Sequence, residues 1–362
     1  MYTEIVKIIE GGLANDSKKV QSYAKLLANN LANSGDEKLA NKILKVLKSI
    51  KGMPVYKDEL FTAPVDNESR LNIANIITPP EIELNVQFSN ALNNSIQEFI
   101  NTIEAKNELK KLGLEVHSSL LLYGPPGCGK TTIAQYISKK LDLPLITARF
   151  DSLISSLLGS TSKNIRKLFD YADGRPCILF LDEFDAIGKA RNDSHELGEL
   201  KRVINSLLQN IDDFTQNNIL IAATNHEDIL DKAVWRRFEK VIEIKKPNSK
   251  EILDLVDLLL KDINTDVKDD QKKLAVLSHE LENLSHSDIK KIIRTAMTKS
   301  VINKQTTTSF ESLLFETYLH KNNSIYELEE VVKYLYEHNV SQSAITNIFN
   351  ISIRQVRNIL NP

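Results

Sequence analysis

The sequence has few cysteines, no long apolar run and no surplus of positive charge. Two cysteines in 362 residues, Cys128 and Cys177, exclude a disulfide framework and a cysteine-rich zinc site, and they favour a reducing cytoplasm. The longest apolar runs, such as Cys177–Leu181, are too short to cross a membrane, and residues 1–12 lack a signal pattern, so we expect no membrane association. Lysine and arginine total 46 against 48 acidic residues, a net charge of −2, so no global positive field attracts nucleic acid.

Length and periodicity divide the chain into several parts. Its 362 residues suggest two or three domains, and 42% hydrophobic residues are typical of a folded globular protein. Apolar residues at spacings of three or four predict a helical N-terminal module over residues 1–52, whose simplest role is that of an adaptor or oligomerisation domain. Prolines then break the pattern and predict a linker over residues 53–83.

Helical stretches alternate with short apolar runs over residues 84–246. This alternation predicts an α/β fold with a parallel sheet covered on both faces. The predicted strands are Leu120–Tyr123, Leu145–Ala148, Ile178–Leu181, Ile219–Ala222 and Val241–Ile244. Only helical periodicity follows over residues 247–320, which predicts a small helical domain, and residues 326–362 carry a separate helical pattern.

The first predicted strand runs into a phosphate-binding motif, G-x-x-x-x-G-K-[ST]. Its glycines allow backbone N–H groups to surround phosphate oxygens, and the following helix directs its positive N-terminus at them. We expect Lys130 to reach the β and γ phosphates of ATP, and Thr131 to supply a hydroxyl ligand to Mg²⁺. The predicted nucleotide-binding residues are Gly124, Pro125, Pro126, Gly127, Cys128, Gly129, Lys130, Thr131, Thr132 and Asp182.

Two further predicted strands end in polar residues. Asp182 and Glu183 follow one strand, and Asn225 follows the next. At the carboxyl ends of strands in an α/β sheet, such side chains meet the crevice where ligands bind. We expect Asp182 to hold Mg²⁺, Glu183 to deprotonate the attacking water and Asn225 to fix that water against the γ-phosphate.

A pair of cations, Arg236 and Arg237, lies directly before the last predicted strand. If they face a neighbouring subunit, they can stabilise charge on its γ-phosphate. The alternative is an ordinary exposed pair. The predicted catalytic set is therefore Glu183, Asn225, Arg236 and Arg237.

Together, these motifs resemble those of the AAA-family ATPases over about residues 85–300. Gly124–Thr131 matches Walker A, Asp182-Glu183 matches Walker B, Asn225 matches sensor 1, and Arg236-Arg237 matches the arginine fingers. The resemblance implies a P-loop α/β subdomain followed by a helical lid. It also implies that the chain assembles with copies of itself into a ring, usually a hexamer, and hydrolyses ATP to remodel a protein substrate.

Two segments depart from the family pattern. Ser285–Ile289 is similar to the Ser-Gly-Ala-Asp-Leu of the lid, with His286 in place of the glycine. Ser155–Gly159 is similar to the pore loop that grips substrate, with Leu157 where many members have an aromatic residue. Leu157 and Leu158 either grip an extended chain through apolar contact or pack within the helix that follows.

More narrowly, the stretch from residue 155 to residue 225 resembles bacterial AAA ATPases encoded beside subtilisin-like serine proteases. Those two-gene modules are associated with plasmid incompatibility and phage defence. The resemblance implies a separate subtilisin-like serine protease as the partner that this chain feeds or restrains.

Residues 326–362 predict a helix-turn-helix module with its own small core and with Ser341 and Ser352 as N-caps. The exposed face of its final helix would carry side chains that can contact bases or phosphates, namely Arg354, Gln355, Arg357 and Asn358. The charge of the module argues against DNA, because three basic residues stand against four glutamates, a net charge of −1. Both DNA and a protein remain open as its partner, and protein docking is favoured.

Overall fold

The computed structural model divides the chain into two units, Met1–Val65 and Asp66–Pro362. In the first unit, every described residue between positions 5 and 43 is helical. The residues described in the second unit are 72–82, 86, 88–150, 158–173, 175–186, 197–216, 218–261, 263–268, 270–323 and 325–361.

A six-stranded sheet lies at the centre of the second unit, in the order β1-β3-β4-β5-β2-β6. Its strands are β1 (Asn75–Ile77), β2 (Ser119–Tyr123), β3 (Leu145–Arg149), β4 (Ile178–Asp182), β5 (Ile219–Thr224) and β6 (Lys240–Glu243). Strands β2 to β6 pair in parallel, as predicted, whereas β1 is an antiparallel edge strand on β3. β1 is missing from the predicted strands because three residues are too few to show a strand period.

Helices cover the sheet, which explains why its strands are continuous apolar runs. The first helices are α1 (Asn90–Glu104), α2 (Lys106–Lys111) and α3 (Lys130–Leu141). Ile100 of α1 and Ile137 of α3 share a buried core with Phe180 of β4 on one face. The packing confirms the predicted α/β fold class.

Two long helices, α4 (Leu158–Ala172) and α5 (Leu197–Thr215), pack on each other, and α5 also contacts β5. The rings of Phe169 and Phe214 meet edge to face with centroids 5.4 Å apart. A short helix, α6 (Lys232–Trp235), then connects β5 to β6. This last connection carries the predicted arginine pair to the start of β6.

Helices make up most of the described residues after β6. Its helices are α7 (Ser249–Leu260), α8 (Gln271–Glu280), α9 (His286–Ile302), α10 (Phe310–Lys321), α11 (Leu328–Glu337), α12 (Gln342–Phe349) and α13 (Ile353–Leu360). We call α7 to α10 the lid. The hydroxyls of Ser341 and Ser352 accept backbone N–H groups of α12 and α13, which confirms both predicted N-caps. Among the described helices, none is long and apolar enough to cross a membrane.

The last three helices share one hydrophobic core with the lid. Val332 and Leu335 of α11 and Val356 of α13 are buried in the same cluster as the apolar residues of α9 and α10. Phe349 packs edge to face on Phe315 of α10, with ring centroids 5.2 Å apart. The small core expected for residues 326–362 is therefore continuous with the core of the lid, because the apolar faces of these helices turn towards α10.

Candidate functional site

The loop between β2 and α3 follows a path that only glycine permits at two positions. Gly124 has φ +136°, and a Cβ there would lie 2.1 Å from the carbonyl oxygen of Ile244. Gly127 has φ +73°, and a Cβ there would lie 2.5 Å from Ser285 Oγ at the start of α9. The loop is therefore held closely between the end of β6 and the lid.

Lys130 is the first residue of α3, and its ammonium group lies inside this loop. Its Nζ donates to the carbonyl oxygens of Gly124 and Pro125 at 2.7 and 2.9 Å. Burial lowers the pKa of Lys130, while the nearby acids Asp182 and Asp185 act in the opposite direction. A partly desolvated ammonium group is a strong electrostatic partner for an anion that enters the loop.

Thr131 and Asp182 bring a hydroxyl and a carboxylate together. Thr131 Oγ1 donates to Asp182 Oδ2 at 3.1 Å, which joins the start of α3 to the end of β4. Asp182 Oδ1 accepts the backbone N–H of Glu183 at 3.0 Å, so the carboxylate is held from both sides. Hydroxyl and carboxylate oxygens are ligands that Mg²⁺ prefers, and this pair fits the expected ion.

Glu183 has a left-handed backbone conformation, with φ +54°. Such a conformation is strained for a residue with a side chain, and it occurs often at functional sites. The Glu183 carboxylate accepts from Arg149 Nη2 at 3.2 and 3.3 Å. Arg149 is not among the predicted site residues, because only the register of β3 beside β4 places this strand-end arginine next to the acid.

Asp185 connects the ends of β4 and β5. It is buried, and its Oδ1 accepts from Thr224 Oγ1 at 3.2 Å and from the backbone N–H of Asn225 at 3.3 Å. Asn225 is thereby positioned next to the turn that carries Glu183. Asp185 is not among the predicted site residues, although a third acid, three residues after Asp182, is the signal that could have identified it.

Several of these groups, but not Arg149 or Asp185, line one cavity of about 350 Å³. Its lining residues are Pro126, Gly127, Gly129, Lys130, Thr131, Thr132, Asp182, Glu183, Asn225, His286, Ser287 and Lys290. Gly124 and Pro125 contribute the carbonyls that hold Lys130. Cys128 is buried on the lid side of the loop, where burial raises the pKa of its thiol.

Arg236 and Arg237 are not among the described residues that line this cavity. Arg236 caps the C-terminus of α6 and is exposed. Arg237 Nε pairs with Asp212 of α5 at 2.9 Å. Within one chain, the structure therefore does not bring the two arginines together with Glu183.

A larger cavity, of about 590 Å³, adjoins the loop on the side of the lid. The lid contacts the loop directly, because the backbone N–H of Ser287 donates to the Gly127 carbonyl at 3.0 Å. His286 lines both cavities and is the first residue of α9. Ser285 and Asp288 form a capping box around it, so a histidine fits here as an ordinary helical residue.

Residues 120–246 match the family described as "ATPase family associated with various cellular activities (AAA)". The chain is also 32% identical over 276 residues to the proteasome-activating nucleotidase of Saccharolobus solfataricus, a match that covers 73% of this chain and 67% of that relative. The chain belongs to the AAA ATPase family. This confirms the family that the sequence motifs predicted.

Other relatives of this AAA ATPase match over shorter stretches. The uncharacterized AAA family ATPase y4kL of Sinorhizobium fredii is 41% identical over 199 residues, which cover 55% of this chain and 59% of the relative. The proteasome-activating nucleotidase of Thermococcus onnurineus is 36% identical over 190 residues, which cover 51% of this chain and 47% of the relative. The chain thus spans from about half to two thirds of the length of these relatives.

Two other regions were predicted to contact partners, the pore loop and the final helix, and the structure describes only the second of them fully. The predicted pore-loop residue Leu157 and the side chain of Leu158 lie outside the described residues. On α13, Arg354, Gln355, Arg357 and Asn358 are exposed, as predicted. Gln355 Oε1, however, accepts from the backbone N–H and the hydroxyl of Ser352 at 2.8 and 2.9 Å, so this side chain serves as a helix cap.

Proposed function

We propose that this AAA ATPase binds ATP with Mg²⁺, hydrolyses it in a ring of identical subunits and uses the energy to remodel a protein partner. The proposal depends on one observation, the grouping of Lys130, Thr131, Asp182, Glu183 and Asn225 around a single cavity. This grouping supplies an anion-binding loop, oxygen ligands for a cation and a carboxylate base at one place.

In this proposal, each side chain at the cavity has a distinct role. Lys130 and the loop N–H groups bind the phosphates, and Thr131 with Asp182 holds Mg²⁺. Mg²⁺ supplies positive charge that stabilises the charge developing on the phosphates. Glu183 accepts a proton from the attacking water, and Asn225 orients that water.

The two arginines support a ring with active sites shared between subunits. Arg236 and Arg237 do not line the cavity formed by the described residues of their own chain. An arginine supplied by a neighbour can instead stabilise charge on the γ-phosphate. In that arrangement, Arg237 exchanges its contact with Asp212 for a contact with the neighbour's nucleotide, and a hexamer is the ring that we expect.

Two substitutions separate ATP hydrolysis from ATP binding. Glu183→Gln should keep ATP affinity but lower turnover by about 10²- to 10⁴-fold, because the general base is lost. Lys130→Ala should lose ATP binding itself, because it removes the charge that faces the phosphates. Glu108→Gln, an exposed position on α2, is the matched control. Normal turnover by Glu183→Gln, measured as phosphate release, would contradict the assigned role of Glu183.

A proteolytic partner is supported by the relatives. Two of them are named proteasome-activating nucleotidases. We propose that this chain likewise acts with a protease, and its middle stretch resembles ATPases encoded beside subtilisin-like serine proteases. Glu183→Gln, tagged and recovered from native cells with ATP, should retain such a protease, whereas recovery of DNA without any protease would contradict this partner.

A second candidate is an ATPase that acts at DNA. It is favoured by the exposed Arg354 and Arg357 on α13, the final helix of the predicted helix-turn-helix. It is weakened by the use of Gln355 as a helix cap and by the net charge of −1 over residues 326–362. We therefore rank DNA below a protein partner.

We place the protein in the cytoplasm. Cys128 and Cys177 are both free and buried thiols. Free thiols persist in a reducing compartment, where disulfides are rare. This is the compartment that the cysteine content of the sequence favours.

A further inference from the structure

One buried polar atom near the proposed nucleotide site has no hydrogen-bond partner among the described residues, and it is Nδ1 of His286. An unpaired buried donor or acceptor destabilises the folded state, so such atoms are rare unless a ligand satisfies them. His286 lines the cavity beside Lys130 and also the larger cavity next to it. It therefore lies where the two cavities meet.

The larger cavity has the composition of a site for a flat organic ring. Apolar side chains of Phe88, Leu92, Ile133 and Ile244 line it, and its volume is about 590 Å³. Sites of this kind hold a ring by apolar contact and orient it with a few polar groups. The cavity beside the phosphate-binding loop therefore suits the nucleoside half of a nucleotide.

Two of the other polar side chains in this cavity are already engaged with each other. Asn248 and Glu251 form a capping box at the start of α7, with hydrogen bonds of 2.9 and 3.0 Å. Lys290 is exposed on α9. His286 thus differs from Asn248 and Glu251, because its Nδ1 is both buried and unpaired.

The backbone around His286 is held at the start of α9. Ser285 Oγ accepts the backbone N–H of Asp288 at 3.2 Å and donates to the Asp288 carboxylate at 2.7 Å. The next residue, Ser287, donates its backbone N–H to Gly127 of the loop. Because the residues on both sides of His286 are hydrogen-bonded, its backbone has a fixed place beside the two cavities, which favours recognition of a ligand.

We infer that His286 contacts the nucleoside half of the bound nucleotide through Nδ1 and is a specificity-determining residue of this ATP site. The inference rests on the proposed function. In the proposed function, the phosphate half faces Lys130 and the loop. Burial lowers the pKa of His286. The positive charge of Lys290 also lowers this pKa, whereas the negative charge of Glu251 raises it. A neutral imidazole suits a hydroxyl group or a base edge better than it suits phosphate.

The test compares binding of ADP and of pyrophosphate, measured by calorimetry on the full chain. His286→Phe keeps a ring but removes both nitrogens, and it should weaken ADP binding about tenfold with pyrophosphate affinity unchanged. His286→Asn, whose amide reaches the position of Nδ1, should restore most of the ADP affinity. His279→Phe, at an exposed histidine on α8, is the control.

Thermal unfolding without nucleotide separates recognition from a structural role. His286→Phe should be at least as stable as the wild type, because it replaces an unpaired polar group by an apolar one. Equal ADP affinity in the wild type and His286→Phe would overturn the inference, as would an equal loss for ADP and pyrophosphate. Failure of the wild type to bind ADP at all would instead contradict the proposed function.

Discussion

We call the part of the site around Lys130, Thr131, Asp182 and Glu183 the phosphate end. Here neighbouring polar side chains are joined in specific pairs, such as Thr131 with Asp182 and Arg149 with Glu183. In the last three helices, the buried residues that join the lid are apolar, and the charged residues of α13 are exposed. At the phosphate end, the chemistry of a ligand determines which residue types are needed. In the last three helices, packing determines only the spacing of apolar residues. Function is therefore easier to infer at the phosphate end than in the last helices.

The largest effect is expected at Arg237, which tests whether the phosphate end is complete within one subunit. Arg237→Ala should lower ATP turnover by about 10³-fold with little loss of nucleotide affinity, as removal of an arginine finger does. Asp212→Ala is the matched control, since it breaks the same ion pair but keeps the arginine. A similar loss in both variants would mean that the ion pair, rather than a contact in trans, matters.

Mixing variants tests the same geometry directly. Arg237→Ala and Glu183→Gln proteins should each be inactive alone. If the arginine acts on a neighbour, mixed rings contain interfaces with an intact Glu183 and an intact Arg237, and some turnover returns. Turnover that is independent of protein concentration, in a protein that stays monomeric with ATP, would reject the ring.

The parallel sheet and the phosphate-binding loop could be predicted from the sequence, because their signals are local. A run such as Leu120–Tyr123 followed by Gly124–Thr131 carries strand, turn and helix start within twelve residues. The structure places those strands within one or two residues of their predicted bounds. Asp182, Glu183 and Asn225 are also found together, because they follow neighbouring parallel strands.

Contacts between distant segments could not be predicted in this way. Arg149 meets Glu183 only because β3 pairs with β4 in one register. His286 reaches the loop only because α9 begins there. The last helices join the lid because Phe349 meets Phe315, a pairing that periodicity cannot reveal.

The next effect tests whether the last helices contribute to the stability of the lid. Leu335 of α11 is fully buried in the shared core. Leu335→Ala should lower the free energy of unfolding by about 2 to 5 kcal/mol, through lost burial and the cavity that remains. Tyr336→Ala, at an exposed neighbour, should change it by less than about 0.5 kcal/mol. Urea unfolding measures both, and equal values would mean that α11 does not stabilise the lid.

A smaller effect is expected at Arg149, the partner of Glu183. If Glu183 is the general base, the ion pair competes with the proton that the carboxylate accepts, and Arg149 is well exposed. Exposed ion pairs contribute about 0 to 1 kcal/mol, so Arg149→Met should raise basal turnover by at most about fivefold. Arg294→Met, at an exposed position on α9, is the control. A large fall in turnover would show instead that Arg149 positions Glu183 for the reaction.

The smallest effect is expected from the final helix, where Arg354 and Arg357 distinguish DNA from protein as the partner. If α13 contacts DNA, each arginine on a phosphate adds about one unit to the slope of log affinity against log salt, and alanine removes it. We expect no such slope, because the module has a net charge of −1 and Gln355 caps its own helix.

The measurement is binding of mixed-sequence duplex DNA at two salt concentrations, with and without ATP, by the wild type and the Arg354→Ala, Arg357→Ala variant. Deleting residues 326–362 is a poorer test, since it would expose the core of the lid. Tight, salt-dependent binding that disappears in the double variant would make DNA the partner of α13.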